Sequence, residues 1–205
     1  MKKLRIGVLG STSGTDLQAV IDEIESGKLE AEISVVISNK PDAFILERAR
    51  KHGIESVCIT SKGREREDFD REVADILDSR GVQLVLLIGY MRFLSKWFVE
   101  RYKDKIMNVH PSLLPAFAGG MDLDVHQQIL DHGVKVTGAT LHFVDEGADT
   151  GPIIAQKAVM VAEGETGESL KHKVQQAEQE IILRAIRLFA AGKLKVEGRR
   201  VRVLD

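Results

Sequence analysis

The sequence predicts an α/β protein: a Rossmann-like, mostly parallel sheet flanked by helices, with an antiparallel part near the C-terminal end. Three observations lead to this prediction. Short apolar runs alternate with helical spacing through the first half. The run Val82–Ile88 is the most apolar in the chain, as in a central strand covered on both faces. Two longer strand-like stretches, 135–144 and 152–161, flank a polar turn, and this arrangement favours antiparallel pairing.

The first half is organised as strands and helices in alternation. Leu17, Ile21 and Ile24 recur at helical spacing, and Gly27 is a natural stop. The predicted strands are Leu4–Leu9, Ile33–Ile37, Ser56–Ile59, Val82–Ile88 and Ile106–Val109. The later helices are predicted from 39–42 to Gly53, over 67–80 and around 95–102.

The second half differs in character. A loop rich in Pro and Gly, 111–121, precedes a helix that ends near Gly133. One long amphipathic helix runs through 170–188 to Gly192, and a small hairpin follows around Glu197 and Gly198. The chain has no internal repeat and no long linker, so we expect residues 1–205 to form a single domain.

Composition excludes several classes of protein. The 205 residues are 43% hydrophobic, enough for one full core, and 29 basic residues nearly balance 31 acidic ones. This balance gives no reason to expect a nucleic-acid surface, although a local pocket for a phosphorylated small molecule stays open. Cys58 is the only cysteine, which rules out an internal disulfide and a cysteine-based zinc site, and we expect it to be a small buried hydrophobe. No signal peptide or membrane helix is recognisable, so a cytoplasmic location is expected.

Ligands of open parallel sheets bind beyond the carboxyl ends of the strands. This rule selects Gly10–Asp16, Gly89–Leu94 and His110–Pro115, and we expect the three segments to converge.

The segment Gly10–Asp16 follows the first strand and opens the first helix. Backbone N–H groups at a helix start bind phosphate well. The segment lacks the lysine of a P-loop and the glycine spacing of a dinucleotide fingerprint. An ordinary tight turn in which Thr15 or Asp16 caps the helix is an equal alternative.

Asn108 and His110 lie two residues apart at the end of a strand, so their side chains share one side. Pro111 favours an extended backbone at His110, which limits where the imidazole points. An amide donor beside a titratable imidazole suits acyl transfer, since one polarises a carbonyl and the other moves a proton. The alternative is a structural pair, with Asn108 satisfying loop backbone and His110 packed in the core.

The turn 142–152 carries three carboxylates and two glycines. Asp149 is placed to reach His110 and to raise its pKa by stabilising the imidazolium. A solvated acidic turn is the alternative.

The other histidines and the serine after His110 fit neither a metal site nor a catalytic triad. We place His52 near a helix C-terminus and His132 and His172 on exposed helix faces, whereas His126 lies near the loop and the site. None has a partner at metal-ligand spacing, and Ser112 is not in a nucleophile-elbow context, so we predict no metal.

The ordered set of motifs resembles the glycinamide ribonucleotide formyltransferase family of purine biosynthesis, within the folate-dependent formyltransferase superfamily. The likeness covers essentially the whole chain and is sharpest at Met-Asn-Val-His-Pro-Ser-Leu-Leu-Pro, residues 107–115. The supporting stretches are Ser38–Lys40, Gly89–Leu94, His142–Val144, Asp149–Pro152 and Val174–Glu178. Thr12–Asp16 and the loop 116–126 differ from the usual family pattern.

The resemblance implies the formyltransferase fold and transfer of a formyl group from 10-formyltetrahydrofolate to the amino group of glycinamide ribonucleotide, without a metal. It implies that Asn108 and His110 handle the oxyanion and that Asp149 holds a water and tunes the histidine. The ribonucleotide residues carried over are Gly14, Thr15, Asp16, Gln175 and Glu178. The folate residues carried over are Arg66, Met91, Arg92, Phe93, Leu94, Asn108, Asp145, Glu146, Gly147, Ala148 and Asp149.

Three other functions stay open. The chain could be another folate-dependent formyltransferase, a formyltetrahydrofolate hydrolase, or a non-catalytic nucleotide-binding module that uses Gly10–Asp16 alone. We expect small-molecule substrates, no nucleic-acid or membrane partner, and a monomer or homodimer.

Overall fold

The computed structural model describes residues 3–119 and 125–205. The chain forms two compact units that meet in sequence between Asn108 and Val109. Each unit has strands and helices of its own, so each is taken in turn. The organisation as one domain over 1–205 stays a prediction.

The first unit is a parallel sheet with helices in the connections, as predicted. Its strands are β1 (Leu4–Gly10), β2 (Ala31–Ser38), β3 (Ser56–Cys58), β4 (Leu84–Ile88) and β5 (Ile106–His110), whose last two residues belong to the second unit. Its helices are α1 (Thr15–Glu25), α2 (Phe44–Lys51), α3 (Arg66–Ser79) and α4 (Lys96–Arg101). The strand order is β3-β2-β1-β4-β5, and all four neighbouring pairs in this order are parallel.

The strand β4 lies inside this sheet, between β1 and β5. All five of its residues are buried, which confirms the prediction from the apolar run, although the strand begins at Leu84 rather than Val82. In register, Gly10 pairs with Ile88, and Leu87 pairs with Asn108. The ends of β1, β4 and β5 that carry the candidate residues are therefore neighbours in the sheet.

The second unit contains the antiparallel part. Its remaining strands are β6 (Val136–Phe143), β7 (Ile153–Met160), β8 (Leu194–Glu197) and β9 (Arg200–Val203), in the order β6-β7-β9-β8. The pairs β6–β7 and β8–β9 are antiparallel, which confirms both sequence predictions. Gly138 allows the close approach of β6 and β7, because a Cβ there would lie 2.0 Å from the carbonyl oxygen of Lys157.

Two helices complete the second unit, α5 (Val125–Asp131) and α6 (Gly167–Ala190). Thr166 and Ser169 form a capping box that satisfies backbone N–H groups at the start of α6. Its buried face packs against β6 and β7. The buried residues of α6 are Leu170, Val174, Ala177, Glu178, Ile181, Ile182, Ala185 and Ile186.

One core prediction is wrong. Cys58 is exposed, because it is the last residue of β3, a strand of only three residues, none of which is buried. Over residues 3–119 and 125–205, no helix is both long and apolar enough to cross a membrane.

Candidate functional site

The segment Gly10–Asp16 makes the turn from β1 into α1. Gly14 is the N-cap residue, with φ 68° in the left-handed region, and no side chain caps the helix. The alternative in which Thr15 or Asp16 caps α1 is therefore wrong, since both already lie inside the helix. Asp16 is buried, whereas Ser13 is exposed.

Ser11 joins this segment to Gly89–Leu94. The Ser11 N–H donates to the Gly89 carbonyl at 3.1 Å, and Met91 N–H donates to Ser11 Oγ at 2.9 Å. Ser11 Oγ in turn donates to Asn39 Oδ1 at 2.6 Å. Two of the three segments selected by the strand-end rule thus converge. Asn39 helps to hold Ser11 in place, and in the sequence it stands out only as part of a family motif.

Residues 90–95 follow β4 and are held by α3. The Arg92 guanidinium lies 4.4 Å from the centre of the Phe69 ring, and Ser95 N–H donates to Asp70 Oδ2 at 2.6 Å. Burial raises the pKa of Asp70, although the Ser95 hydrogen bonds and the charges of Arg92 and Arg66 oppose the rise. Phe93 is 46% exposed, so this segment carries an apolar side chain at the surface. Asp70 could not be singled out from the sequence, because a carboxylate on an amphipathic helix is usually solvated.

Asn108 and His110 both lie on β5, two residues apart. Asn108 is half-buried, and its backbone is held by pairing with Leu87. His110 is buried, and the described residues provide no hydrogen-bond partner for its Nε2 atom. A buried nitrogen of this kind is costly unless it serves a ligand, a water or a reaction.

His110 and Asp149 are in contact. The distance from His110 Nδ1 to Asp149 Oδ2 is 3.3 Å. Because an ionised carboxylate only accepts hydrogen bonds, we infer that Nδ1 carries the imidazole proton and that the Nε2 lone pair is available. The Gly119 N–H also donates to Asp149 Oδ2, at 3.0 Å.

The pKa of His110 is shifted down overall, although Asp149 acts to raise it, as expected from the sequence. Burial is the largest cause and disfavours the imidazolium, and the nearby His142 acts in the same direction. The Asp149 charge and the Phe117 backbone carbonyl raise the pKa, but they do not outweigh burial. The sequence indicated the acidic partner, whereas the extent of burial depends on the fold.

Asp149 also contacts a second imidazole. His142 Nε2 lies 3.6 Å from Asp149 Oδ1, and His142 Nδ1 is 2.9 Å from the Phe143 carbonyl, which can only accept. Burial alone would raise the pKa of Asp149, but hydrogen bonds from His142 and Gly119 and the charges of both histidines hold it below its usual range. In the sequence, His142 stands out only as part of a family motif, and its spacing from His110 does not indicate that both contact Asp149.

The turn that carries Asp149 is closely constrained. Asp149 has φ 54°, a left-handed conformation that is unfavourable for a residue with a side chain. Gly151 approaches the Phe143 backbone closely, since a Cβ at Gly151 would lie 1.8 Å from the Phe143 carbonyl oxygen. Asp145 Oδ1 accepts hydrogen bonds from Gly147 N–H and Thr150 Oγ1, so this carboxylate organises the turn.

The backbone after His110 is held by β6 and β7. Thr140 Oγ1 donates to the Ser112 carbonyl at 2.7 Å and accepts from Leu114 N–H at 3.0 Å. Gln156 Nε2 donates to the Leu114 carbonyl and to Thr140 Oγ1, both at 3.0 Å. The sequence did not indicate that Thr140 or Gln156 holds this backbone, because nothing in the sequence shows which groups their side chains contact.

The remaining predicted residues are spread over several elements. Arg66 begins α3, and on α6 Gln175 is half-buried while Glu178 is buried.

His126 is buried in α5, whereas part of the loop 116–126, residues 120–124, lies outside the described residues. His52 follows the last residue of α2, and His132 and His172 are exposed, as expected. Over the described ranges, no group of three or more His, Cys, Asp and Glu side chains could hold a metal ion.

Comparison with known proteins gives a consistent result. The sequence model of the family described as formyl transferase matches residues 4–186. Phosphoribosylglycinamide formyltransferase of Escherichia coli is 40% identical over 94% of this chain and 90% of its own. The trifunctional purine biosynthetic protein adenosine-3 of Bos taurus is 42% identical over 95% of this chain, which spans only 19% of that longer relative.

A solved structure is similar over the same extent. The crystal structure of glycinamide ribonucleotide transformylase 1 from Symbiobacterium toebii has a TM-score of 0.93 and 47% sequence identity, covering 100% of this chain and 95% of that one. The likeness confirms the predicted fold class. With a family match over most of its length, the chain belongs to the formyl transferase family.

Proposed function

We propose that this chain transfers the formyl group of 10-formyltetrahydrofolate to the amino group of glycinamide ribonucleotide, a step of de novo purine biosynthesis. The observation that carries the proposal is the buried His110, with Asp149 on one ring nitrogen and its other nitrogen available. The similarity to phosphoribosylglycinamide formyltransferase supports the choice of substrates. A folate-derived formyl donor follows from the family, and its identity as 10-formyltetrahydrofolate is part of the proposal.

The proposed reaction is direct attack of the amine on the formyl carbon. The carbonyl becomes a tetrahedral oxyanion, which the Asn108 amide and protonated His110 stabilise by hydrogen bonds. The amine passes a proton through a water held near Asp149 to Nε2 of neutral His110, and the imidazolium so formed donates to the oxyanion. That proton then goes to N10 of the folate as its bond to the formyl carbon breaks. The products are the formylated amide and tetrahydrofolate, with no metal and no covalent enzyme intermediate.

The low pKa of His110 fits this sequence of events. The imidazole is neutral before the reaction, and Asp149 stabilises the imidazolium that forms when it takes up a proton. Donors that are already oriented lower the barrier more than mobile ones, because no reorganisation is needed at the moment of reaction.

The binding residues are proposed on the family pattern. For the ribonucleotide they are Gly14, Thr15, Asp16, Gln175 and Glu178. For the folate they are Arg66, Met91, Arg92, Phe93, Leu94, Asn108, Asp145, Glu146, Gly147, Ala148 and Asp149. We further propose a cytoplasmic protein, monomeric or homodimeric, with small molecules as its partners and neither nucleic acid nor membrane.

A spectrophotometric assay of tetrahydrofolate release tests the proposal. Release that requires both 10-formyltetrahydrofolate and glycinamide ribonucleotide supports it. Release without the amine would indicate a hydrolase, and release with a different phosphorylated or sugar amine would indicate another formyltransferase. Binding of nucleotide without any release would indicate a non-catalytic module.

A further inference from the structure

The helix α2 supplies hydrogen bonds to the Gly10–Asp16 segment, called the phosphate loop below. The Ile45 N–H donates to the Thr12 carbonyl at 3.1 Å, and Arg48 Nε donates to the Ser13 carbonyl at 3.2 Å. The Ile45 side chain also fills the space beside Gly14, where a Cβ would lie 2.5 Å from Cγ1. Two successive carbonyls of the loop thus accept hydrogen bonds from the same helix.

The direction of these carbonyls sets the direction of the N–H groups. In a planar trans peptide the C=O and the following N–H point to opposite sides. With the Thr12 and Ser13 carbonyls turned towards α2, the N–H groups of Ser13 and Gly14 point away from it. Successive N–H groups beside a left-handed residue, here Gly14, form a concavity suited to an anion.

The Arg48 side chain is held in place on its second side. Its Nη1 donates to Gln18 Oε1 at 2.6 Å, and Gln18 Nε2 donates to Asp22 Oδ1 at 2.7 Å. Gln18 Nε2 also lies 3.1 Å from Nε2 of His52, whose Nδ1 is 2.7 Å from Glu25 Oε1. The guanidinium is therefore kept against the loop by a chain of side chains from α1 and α2.

The charge of Arg48 is not used in a direct ion pair with a carboxylate in the parts of the chain that the structure describes. Its guanidinium carbon also lies 5.4 Å from the centre of the Phe44 ring. A half-buried cation next to an anion-binding loop contributes a favourable potential for a dianionic phosphate.

We infer that Arg48 is a positioning residue for the phosphate of the amine substrate. It orients the Ser13–Gly14 peptide through its bond to Ser13, and its charge favours the phosphate. The inference rests on the proposed function, because that proposal assigns the phosphate to this loop. It names a residue for phosphate recognition outside the loop itself.

Steady-state kinetics of three variants test the inference. Arg48→Met should raise KM for the phosphorylated amine about 10- to 100-fold, the range expected for losing a charge-assisted hydrogen bond. The kcat and the KM for 10-formyltetrahydrofolate should stay close to wild type. Arg48→Lys keeps the charge and one donor, so its KM should be intermediate. The control is Arg50→Met on the same helix, where Arg50 bonds Ser56 Oγ and not the loop, and its constants should not change.

Calorimetry with inorganic phosphate separates this inference from the proposed function. Weaker phosphate binding by Arg48→Met than by Arg50→Met supports the inference even if the wild-type protein transfers no formyl group. An Arg48→Met protein with wild-type amine KM and phosphate affinity would overturn it. An Arg48→Lys protein that folds but has a lower kcat and a higher KM for both substrates would also overturn it, since that pattern indicates a general structural role.

Discussion

Asp149 lies between two imidazoles and keeps a left-handed backbone, with φ 54°. The Gly119 N–H donates a hydrogen bond to Asp149 Oδ2, and Gly151 approaches the Phe143 carbonyl too closely to carry a side chain. The result is a carboxylate that stays ionised because its pKa is held down, beside a histidine whose pKa burial also holds down. At the scale of single residues, this pairing sets the protonation states on which the proposed chemistry depends.

Removal of either oxyanion donor should slow turnover without unfolding the protein. For Asn108→Ala or His110→Ala we expect kcat to fall about 100- to 1000-fold, a barrier increase of about 3–4 kcal/mol, because one preorganised donor is lost. Turnover is measured with both substrates saturating and folding by circular dichroism. His172→Ala, an exposed position on α6, is the control and should keep its activity. Near-native turnover in either test variant would contradict the assigned roles.

Replacing Asp149 should shift the His110 pKa further down. The carboxylate stabilises the imidazolium and so raises that pKa, whereas burial lowers it. In Asp149→Asn only the opposing effect of Asp149 is removed, so protonation of His110 should require a lower pH, as measured by NMR titration of the ring. The matched control is Asp145→Asn, since Asp145 bonds Gly147 and Thr150 rather than a histidine. A rise in the His110 pKa in Asp149→Asn would refute the electrostatic account.

At the scale of elements, the strands β6 and β7 do two tasks. They form the antiparallel ladder of the second unit, and through Thr140 and Gln156 they hold the backbone that follows His110. The closeness of the two strands depends on Gly138, because its missing side chain leaves room for the Lys157 carbonyl. Packing in this hairpin is therefore linked to the geometry of the candidate site.

Gly138→Ala should destabilise the protein by about 1–3 kcal/mol, the usual cost of forcing extra atoms into a packed region. The free energy of unfolding is measured by urea denaturation. Gly167→Ala is the control: the nearest atom to its new Cβ is the end of the Gln127 side chain, at 3.2 Å, and alanine favours helix. We expect its stability to be unchanged or slightly raised. Equal stability of the two variants would show that β6 and β7 can separate without cost.

At the scale of the whole molecule, two compact units with different sheet architectures carry different candidate residues. The first holds the phosphate loop, the segment 89–94 and Asn108, and the second holds His110, His142 and Asp149. The formyl transferase family model extends across both. Activity is thus expected from the whole chain.

Chelation should leave activity intact. Because the proposed reaction uses Asn108 and His110 for the oxyanion, dialysis against EDTA should not change kcat, and added Zn²⁺ or Mg²⁺ should not increase it. The comparison is made on one preparation before and after dialysis. A loss that metal restores would disprove the metal-free mechanism.

Local patterns in the chain were enough to predict the order of the elements, the parallel first half, the β6–β7 pair and the position of Asn108 and His110 at a strand end. Side-chain periodicity and glycine stops act within a few residues, so they can be read without a fold. Four features needed the folded chain: the exposure of Cys58, the Gly14 cap, the contact of Asp149 with His142 and the downward pKa of His110. Each depends on burial or on partners distant in sequence. For the His110 pKa, the lowering by desolvation outweighs the raising by the Asp149 charge, which was the one effect that the sequence indicated.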